Sequence, residues 1–191
     1  MVVTIDGPAG VGKSTVARLV AERLGLRYVD TGAMYRELTA VALDRGVSLD
    51  DGDALAALVG EAAGGGTDIR SERVSAAVSA VSRHPQVRER MRARQRELAA
   101  DAVLEGRDTG TVVCPGADVK VFLTAPRPVR AARRAHDLGL PVEEVERSIE
   151  RRDRLDAEQS APATDAVVID TGGLDAGQVA ERVLALVEAV G

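Results

Sequence analysis

The chain has 191 residues, 45% hydrophobic and 29% charged, with a formal charge of −5. Aromatic side chains supply only 2%, Tyr28, Tyr35 and Phe122, and there is no Trp, which argues against a base-stacking platform; the acidic balance argues against a general DNA or RNA coat. Cys114 is the single cysteine, which excludes an intramolecular disulfide and a Cys-rich zinc site.

One domain is the expectation at this length. No apolar run approaches the ~20 residues of a membrane span, and the stretch from Met1 to Asp6 has no basic region of the kind that opens a signal peptide. A cytoplasmic α/β protein that binds neither membrane nor nucleic acid is expected.

In chain order, Val2-Val3-Thr4-Ile5 is the first β-branched run. Residues 13–24 place Val16, Ala17, Val20, Ala21 and Leu24 on one helical face, and Gly25 follows as a stop. Arg27-Tyr28-Val29 is a short strand candidate, and a helix is expected over 32–45, ending at Gly46. Gly64-Gly65-Gly66 reads as a linker. Residues 71–99 contain one proline, Pro85, and no glycine, so two helices broken there are expected. Ala102-Val103-Leu104 is another strand, whereas Val112-Val113 is too short for more than a turn or extended piece. Val119 to Leu123 is a strong strand. Helices over 127–137 and 141–154 are joined by Gly139-Leu140-Pro141. A strand at Ala166-Val167-Val168-Ile169 and a helix over about 175–190 complete the chain. Unalternated apolar strands separated by helices fit a parallel sheet covered on both faces.

The chemistry is concentrated after the first strand. Gly7-Pro8-Ala9-Gly10-Val11-Gly12-Lys13-Ser14-Thr15 is the pattern G-x-x-x-x-G-K-[ST], set between a strand and a helix as a P-loop requires. The glycines let backbone N–H groups turn toward a polyphosphate, and the helix N-terminus adds partial positive charge. Lys13 would reach the β- and γ-phosphates of ATP, and the Ser14 hydroxyl would ligate Mg²⁺. Only two of the 25 basic side chains are lysines, Lys13 and Lys120, and one of them is the P-loop lysine. No Asn-Lys-x-Asp base-reading motif of a GTPase is present, and a small-molecule kinase is the expected class.

Asp30 stands at a strand C-terminus, where ligands of open parallel sheets gather, and could hold the metal through water. Arg36, early in the next helix, could clamp an acceptor phosphate with a bidentate fork. Glu105 either faces the site or pairs with an arginine. The arginines at 83, 88, 90, 92, 94 and 96 read as a solvated helix face carrying one or two site residues. His84 reads as a turn residue, His136 has no partner histidine for a metal pair, and Cys114 reads as a small buried apolar group.

The chain resembles the cytidylate (CMP/dCMP) kinases over nearly its whole length. The resemblance rests on the segment from Ile5 to Thr15, on Asp30-Thr31-Gly32-Ala33-Met34-Tyr35-Arg36, and on Ile69-Arg70 with Val74. It continues through Val78-Ser79-Ala80-Val81-Ser82 with Pro85 and Val87-Arg88, and Glu105-Gly106-Arg107-Asp108-Thr109-Gly110-Thr111-Val112-Val113. Arg151-Arg152-Asp153 with Asp156 and the run from Asp165 to Thr171 complete it.

It implies a three-layer α/β/α P-loop nucleoside monophosphate kinase fold with a mainly parallel five-stranded sheet. The chain would be one kinase domain, 1–191, with an acceptor-binding helical region at about 32–100 and a short lid at about 130–150. Ser79 and Arg88 would read the cytosine, Arg36 and Arg107 would hold the acceptor phosphate together with Thr31 and Tyr35, and Asp108 would lie beside them. Asp156 would bind the ribose. Lys13, Arg107, Arg130, Arg134 and Arg152 would act on the transferring phosphate, with Arg133 also at the start of the lid. The implied reaction moves the γ-phosphoryl group of ATP–Mg²⁺ to CMP or dCMP in a monomer.

Three departures bear on the acceptor. The antiparallel insert that the family carries between Leu58 and Asp68 is reduced to Ala62-Ala63-Gly64-Gly65-Gly66-Thr67. The position three beyond Asp156, where the family has Arg, is Gln159. The lid between Arg134 and Val145 is short. Cys114 stands where the family usually has an aromatic. These departures keep open a kinase acting on a modified cytidylate or another small acceptor, and a regulator that binds ATP without transferring phosphate.

Overall fold

The β-branched run at the N-terminus forms β1 (Val2–Asp6), the middle strand of a five-stranded sheet in the order β2-β3-β1-β4-β5. The computed structural model describes residues 1–61, 68–156 and 161–190, and describes no side chain at Leu155 or Asp156. β2 (Arg27–Asp30) and β5 (Val167–Asp170) are the edges; β3 (Ala102–Gly106) and β4 (Val119–Thr124) flank β1. β1 pairs in parallel with β3 and β4, and β4 with β5, in a register that sets Asp6 beside Gly106 and Phe122. β1 and β3 therefore end level, at Asp6 and Gly106, while β4 runs two residues further to Thr124; these C-terminal ends are where an open parallel sheet presents a ligand site.

Val3, Ile5, Val103, Val121 and Leu123 pack with Val16, Ala17 and Val20 of α1 (Lys13–Leu24) and with Val179, Ala180 and Val183 of α8 (Ala176–Glu188). Thr4 and Leu104, on the alternate face, are also fully buried, so the sheet is covered on both sides. α8 starts in a reciprocal cap between Asp175 and Gln178. Val167 and Val168 remain exposed, as an edge strand permits.

Two compact units result, Met1–Val29 with Ala99–Gly191, and Asp30–Leu98. The first holds the sheet, α1, α8 and a hairpin of α6 (Arg127–Leu138) and α7 (Val142–Asp156), which interlock through Ala131, Ala135, Val145 and Ile149. The second is helical: α2 (Thr31–Asp44), α3 (Gly52–Ala57), α4 (Glu72–Ser82) and α5 (Pro85–Leu98). Leu38, Val41, Leu55, Val81, Val87 and Met91 form its core. Asp30, Asp51 and Ser71 cap α2, α3 and α4 by accepting from the N–H groups of Ala33, Ala54 and Val74.

The break at Pro85 falls where expected. α3 was not legible: at six residues it is too short to show a period. The corner before Pro85 is more than a turn. His84 donates from Nε2 to the Leu49 carbonyl (2.8 Å), and Arg83 pairs with Asp50. Gly52 leaves space there, since a Cβ would lie 2.9 Å from His84 Nδ1. Val112-Val113 closes a five-residue π-helical turn, Thr109–Val113. Cys114, expected to be buried, is half-buried, and its N–H donates to the Thr109 carbonyl (2.8 Å), ending that turn. The shortened segment at 62–67 and Gln159 lie outside the described residues.

Candidate nucleotide site

The loop between β1 and α1 has its carbonyls held by side chains. The Gly7 carbonyl accepts from Arg107 Nη1 (2.6 Å), the Pro8 carbonyl from Lys13 Nζ (2.9 Å), and the Ala9 carbonyl from Arg130 Nη1 (3.1 Å). The Val11 carbonyl accepts from the Thr171 hydroxyl (3.3 Å). With four acceptors occupied by side chains, the N–H side of the loop is the one left to meet an anion. Gly7 is required by space as well as by φ: a Cβ there would lie 2.3 Å from the Leu123 carbonyl oxygen. Gly12 precedes α1 in a left-handed conformation and places no capping side chain over the helix's first N–H groups.

Lys13 stands among like charges. Burial chiefly, and Arg107 and Arg152 beside it, hold its ammonium well below the ordinary range; Glu105 and Asp6 act the other way without compensating. Such a site is short of negative charge, which a polyphosphate would supply. Lys13, Arg107 and Arg152 are thus brought together within the first unit. Glu105 is buried, accepts a hydrogen bond from the Tyr28 hydroxyl (2.5 Å) and acts by its charge on Lys13, which agrees with the site-facing alternative.

The lid-start arginines divide. Arg130 is buried and spends four of its five N–H groups on protein: Nε on the Ala125 carbonyl, Nη1 on Ala9 and Asp153, and Nη2 on Asp153 (2.8 Å). It ties the P-loop to α7 next to Arg152. Arg133 donates to the hydroxyl and carbonyl of Thr171 and to the Leu174 carbonyl, closing the turn after β5. Arg134, one turn after Arg130 on α6, is half-buried. Ser14 and Thr15 are exposed at the start of α1, and Asp108 is half-buried just before the π-turn. Asp156 ends α7, but its side chain is among those not described.

Asp6, at the end of β1, is a residue the sequence reading passed over. Its Oδ1 accepts from the Thr109 N–H (3.0 Å) and hydroxyl (2.8 Å), and its Oδ2 from the Gly110 N–H (2.8 Å). Burial pushes this carboxyl up, and the three donors pull it partly back. A signal existed: an acid directly before a P-loop, at the end of a strand whose other residues are apolar or Thr.

The second unit gathers another set by itself. Asp30 caps α2 and also receives Arg36 Nη2 (3.3 Å), so both its carboxylate oxygens have protein partners. Gly32 makes room for that fold-back, since a Cβ would lie 3.3 Å from Arg36 Nη1. Arg36 Nε is buried with no hydrogen-bond partner among the described residues, the kind of donor an anionic ligand would satisfy. Thr31 is buried, Tyr35 half-buried against the unit's core, and Arg88 half-buried on α5; Ser79 is exposed on α4. Among the described residues no three His, Cys, Asp or Glu side chains are grouped to hold a metal, and no helix is long and apolar enough to cross a membrane.

Comparison with known proteins bears on this arrangement. A family model described as cytidylate kinase matches residues 3–189. A cytidylate kinase from Geobacillus sp. (strain WCH70) is 46% identical over 213 positions, spanning 97% of this chain and 95% of that protein. One from Rhodococcus opacus (strain B4) is 45% identical over 216 positions, covering 98% and 94%. Both alignments are longer than the 191 residues here, so these relatives carry stretches that this chain lacks. Among solved structures, a gluconokinase from Sinorhizobium meliloti 1021 aligns with a TM-score of 0.57 at 19% identity, over 99% of this chain and 93% of that one. A shikimate kinase from Acinetobacter baumannii, bound to shikimate, aligns at 0.55 and 17%, over 98% and 92%. These two likenesses concern the fold alone.

Proposed function

The chain belongs to the cytidylate kinase family, and from that premise we propose how its residues share the transfer. As a member it is a nucleoside monophosphate kinase, moving the γ-phosphoryl group of ATP to CMP or dCMP and releasing ADP with CDP or dCDP. The observation that carries the assignment of residues is the half-buried Lys13, its ammonium on the Pro8 carbonyl and beside Arg107 and Arg152, at a loop whose carbonyls are held by side chains.

In this reading the loop N–H groups and Lys13 hold the β- and γ-phosphates. Arg107, Arg134 and Arg152 spread positive charge around the group in transit, where phosphoryl transfer develops its charge. The attacking oxygen belongs to a phosphate that is already ionised, so no general base is required. Arg36 holds the acceptor phosphate through its unsatisfied Nε–H and its fork, with Thr31 and Tyr35 alongside; Ser79 and Arg88 read the base, and Asp108 and Asp156 serve the nucleoside. Arg130 holds the loop in shape. The α6–α7 hairpin acts as a lid that keeps water from the transferring group.

The donor set fits Mg²⁺ arriving with the nucleotide. Ser14 offers one exposed hydroxyl, and such an ion draws its remaining ligands from phosphate and water. Asp30, whose oxygens are engaged, would reach it only through water. When bound, the ion supplies charge neutralisation to the phosphates.

ADP release with ATP–Mg²⁺ against CMP, dCMP, UMP, AMP and GMP tests the reading. Selective turnover of CMP or dCMP is expected, as is thermal stabilisation by CMP alone. Silence across the panel with ATP binding intact would overturn it in favour of an ATP-binding regulator. Gln159, where the family has Arg, and the shorter chain favour one second reading, a preference moved to a modified cytidylate or another small phosphorylated acceptor. Stronger turnover of such an acceptor than of CMP would establish it.

A further inference from the structure

We infer that Asp6 is a positioning residue for Arg107, and that its carboxylate, through the π-turn after β3, sets where that guanidinium stands during transfer. The inference rests on the kinase reading above and adds a residue to it.

The argument starts from register. Asp6 and Gly106 are paired neighbours at the ends of β1 and β3. Arg107 and Asp108 leave the sheet immediately afterwards and lead into the turn Thr109–Val113. A π-helical turn is rare and holds only when something fixes it. Here the Asp108 carbonyl accepts from Val112 (2.9 Å) and Val113 (3.2 Å), and the turn's first two N–H groups and the Thr109 hydroxyl all end on Asp6.

Contact is close. A Cβ on Gly110 would lie 2.9 Å from Thr4 Oγ1 and 3.5 Å from Asp6 Oδ2, so the turn rests directly on β1. From the other side Arg107 reaches back to the Gly7 carbonyl (2.6 Å). The dipeptide Asp6-Gly7 thus grips residues 107 to 110 at both ends, by side chain and by carbonyl.

Only a carboxylate serves. Its two oxygens accept from donors on both sides, whereas an asparagine would turn an NH₂ group toward one of those N–H groups. A buried charge maintained by three donors is costly if any is lost. A loop merely needing closure could use backbone bonds, which this turn already has.

The test uses the full chain with D6N, T109V and T109S, each also in an R107A background. Tm and hydrogen exchange of residues 106–113 are measured, then kcat and KM for CMP and ATP well below Tm. D6N is expected to lower kcat roughly 10- to 100-fold with KM for ATP little changed. It should cost less than about 2-fold further in the R107A background, the non-additivity that marks action through one residue. T109V should follow in the same direction, and T109S, which restores the hydroxyl, should recover. Exchange at 106–113 should rise in D6N and T109V.

D6N with a lower Tm but wild-type kcat, or losses that multiply with R107A, would overturn the inference and leave Asp6 a structural acid only. If D6N does not fold, the T109V and T109S pair decides by the same criteria. A wild-type protein inert toward the whole acceptor panel would overturn the kinase reading instead; unchanged exchange at 106–113 in D6N would then overturn the positioning as well.

Discussion

Arg130 and Arg133 in the sheet unit and Arg36 in the helical unit are held in contrasting ways. In the sheet unit Arg130 and Arg133 are committed to carbonyls, a hydroxyl and Asp153, so their charge shapes the protein before any ligand arrives. In the helical unit Arg36 folds back over its own helix start and keeps a buried N–H without a partner among the described residues. Under the proposed roles the contrast follows the task. A polyphosphate looks the same in every reaction that uses ATP, so its cradle can be fixed in advance, and preorganised dipoles work best when nothing must reorient. An acceptor must be distinguished from near relatives, and unspent donors are the means of doing so.

The sharpest way to break this contrast is Lys13→Ala. Turnover should fall by roughly 10²–10³-fold or more. Because the ammonium is held below its ordinary range by burial and Arg107, its removal should leave Tm unchanged or raise it. Near-normal turnover by ADP release would remove the P-loop assignment.

Arg130→Ala should act on stability first. Its side chain is 7% exposed and Asp153 is 25% exposed, and breaking such a pair typically costs about 3 kcal/mol. Denaturant unfolding measures this, and a loss under about 1 kcal/mol would show the clamp to be incidental.

Arg36→Ala should leave folding and the KM for ATP alone while raising the KM for CMP roughly 30-fold, the worth of one charge-assisted contact. An equal rise in both constants would mean that the second unit is not dedicated to the acceptor.

The smallest effect concerns Lys120, whose ammonium donates to Asp165 (2.7 Å) and to the Pro115 carbonyl. That bond holds the Asp165 carboxyl below its ordinary 3.8. A depressed acid contributes stability above 3.8 and loses it as pH falls through the depressed value. Asp165→Asn should therefore lower Tm slightly at pH 7 and not at all in strong acid. A gap that persists in acid would point to packing rather than charge.

Much of this was legible in the chain. The P-loop, its flanking strand and helix, and the break at Pro85 are local signals, readable because each depends on neighbours in sequence. The family segments placed Lys13, Arg107 and Arg36 in plausible company. What escaped depends on distance along the chain. Nothing near Asp6 announces that its donors come from Thr109 and Gly110. Arg130 read as a phosphate contact because a charge on a helix start looks the same whether it meets a ligand or the Ala9 carbonyl. Glu105 was expected to face the site or an arginine, and nothing near it announces the Tyr28 hydroxyl it also meets, which comes from another strand. Val112-Val113 was read as no more than a turn or extended piece, and it does close a turn, whose π-helical form has no period of its own to read.

The carbonyl pins on the P-loop have a consequence for how the protein is made. The loop occupies residues 7–12, yet Arg107, Arg130 and Thr171 hold it from 100, 121 and 160 positions downstream. A nascent chain on the ribosome carries the whole motif early and completes these pins only once Thr171 has been made. A fragment ending before Arg130 should therefore hold the signature without the affinity for ATP.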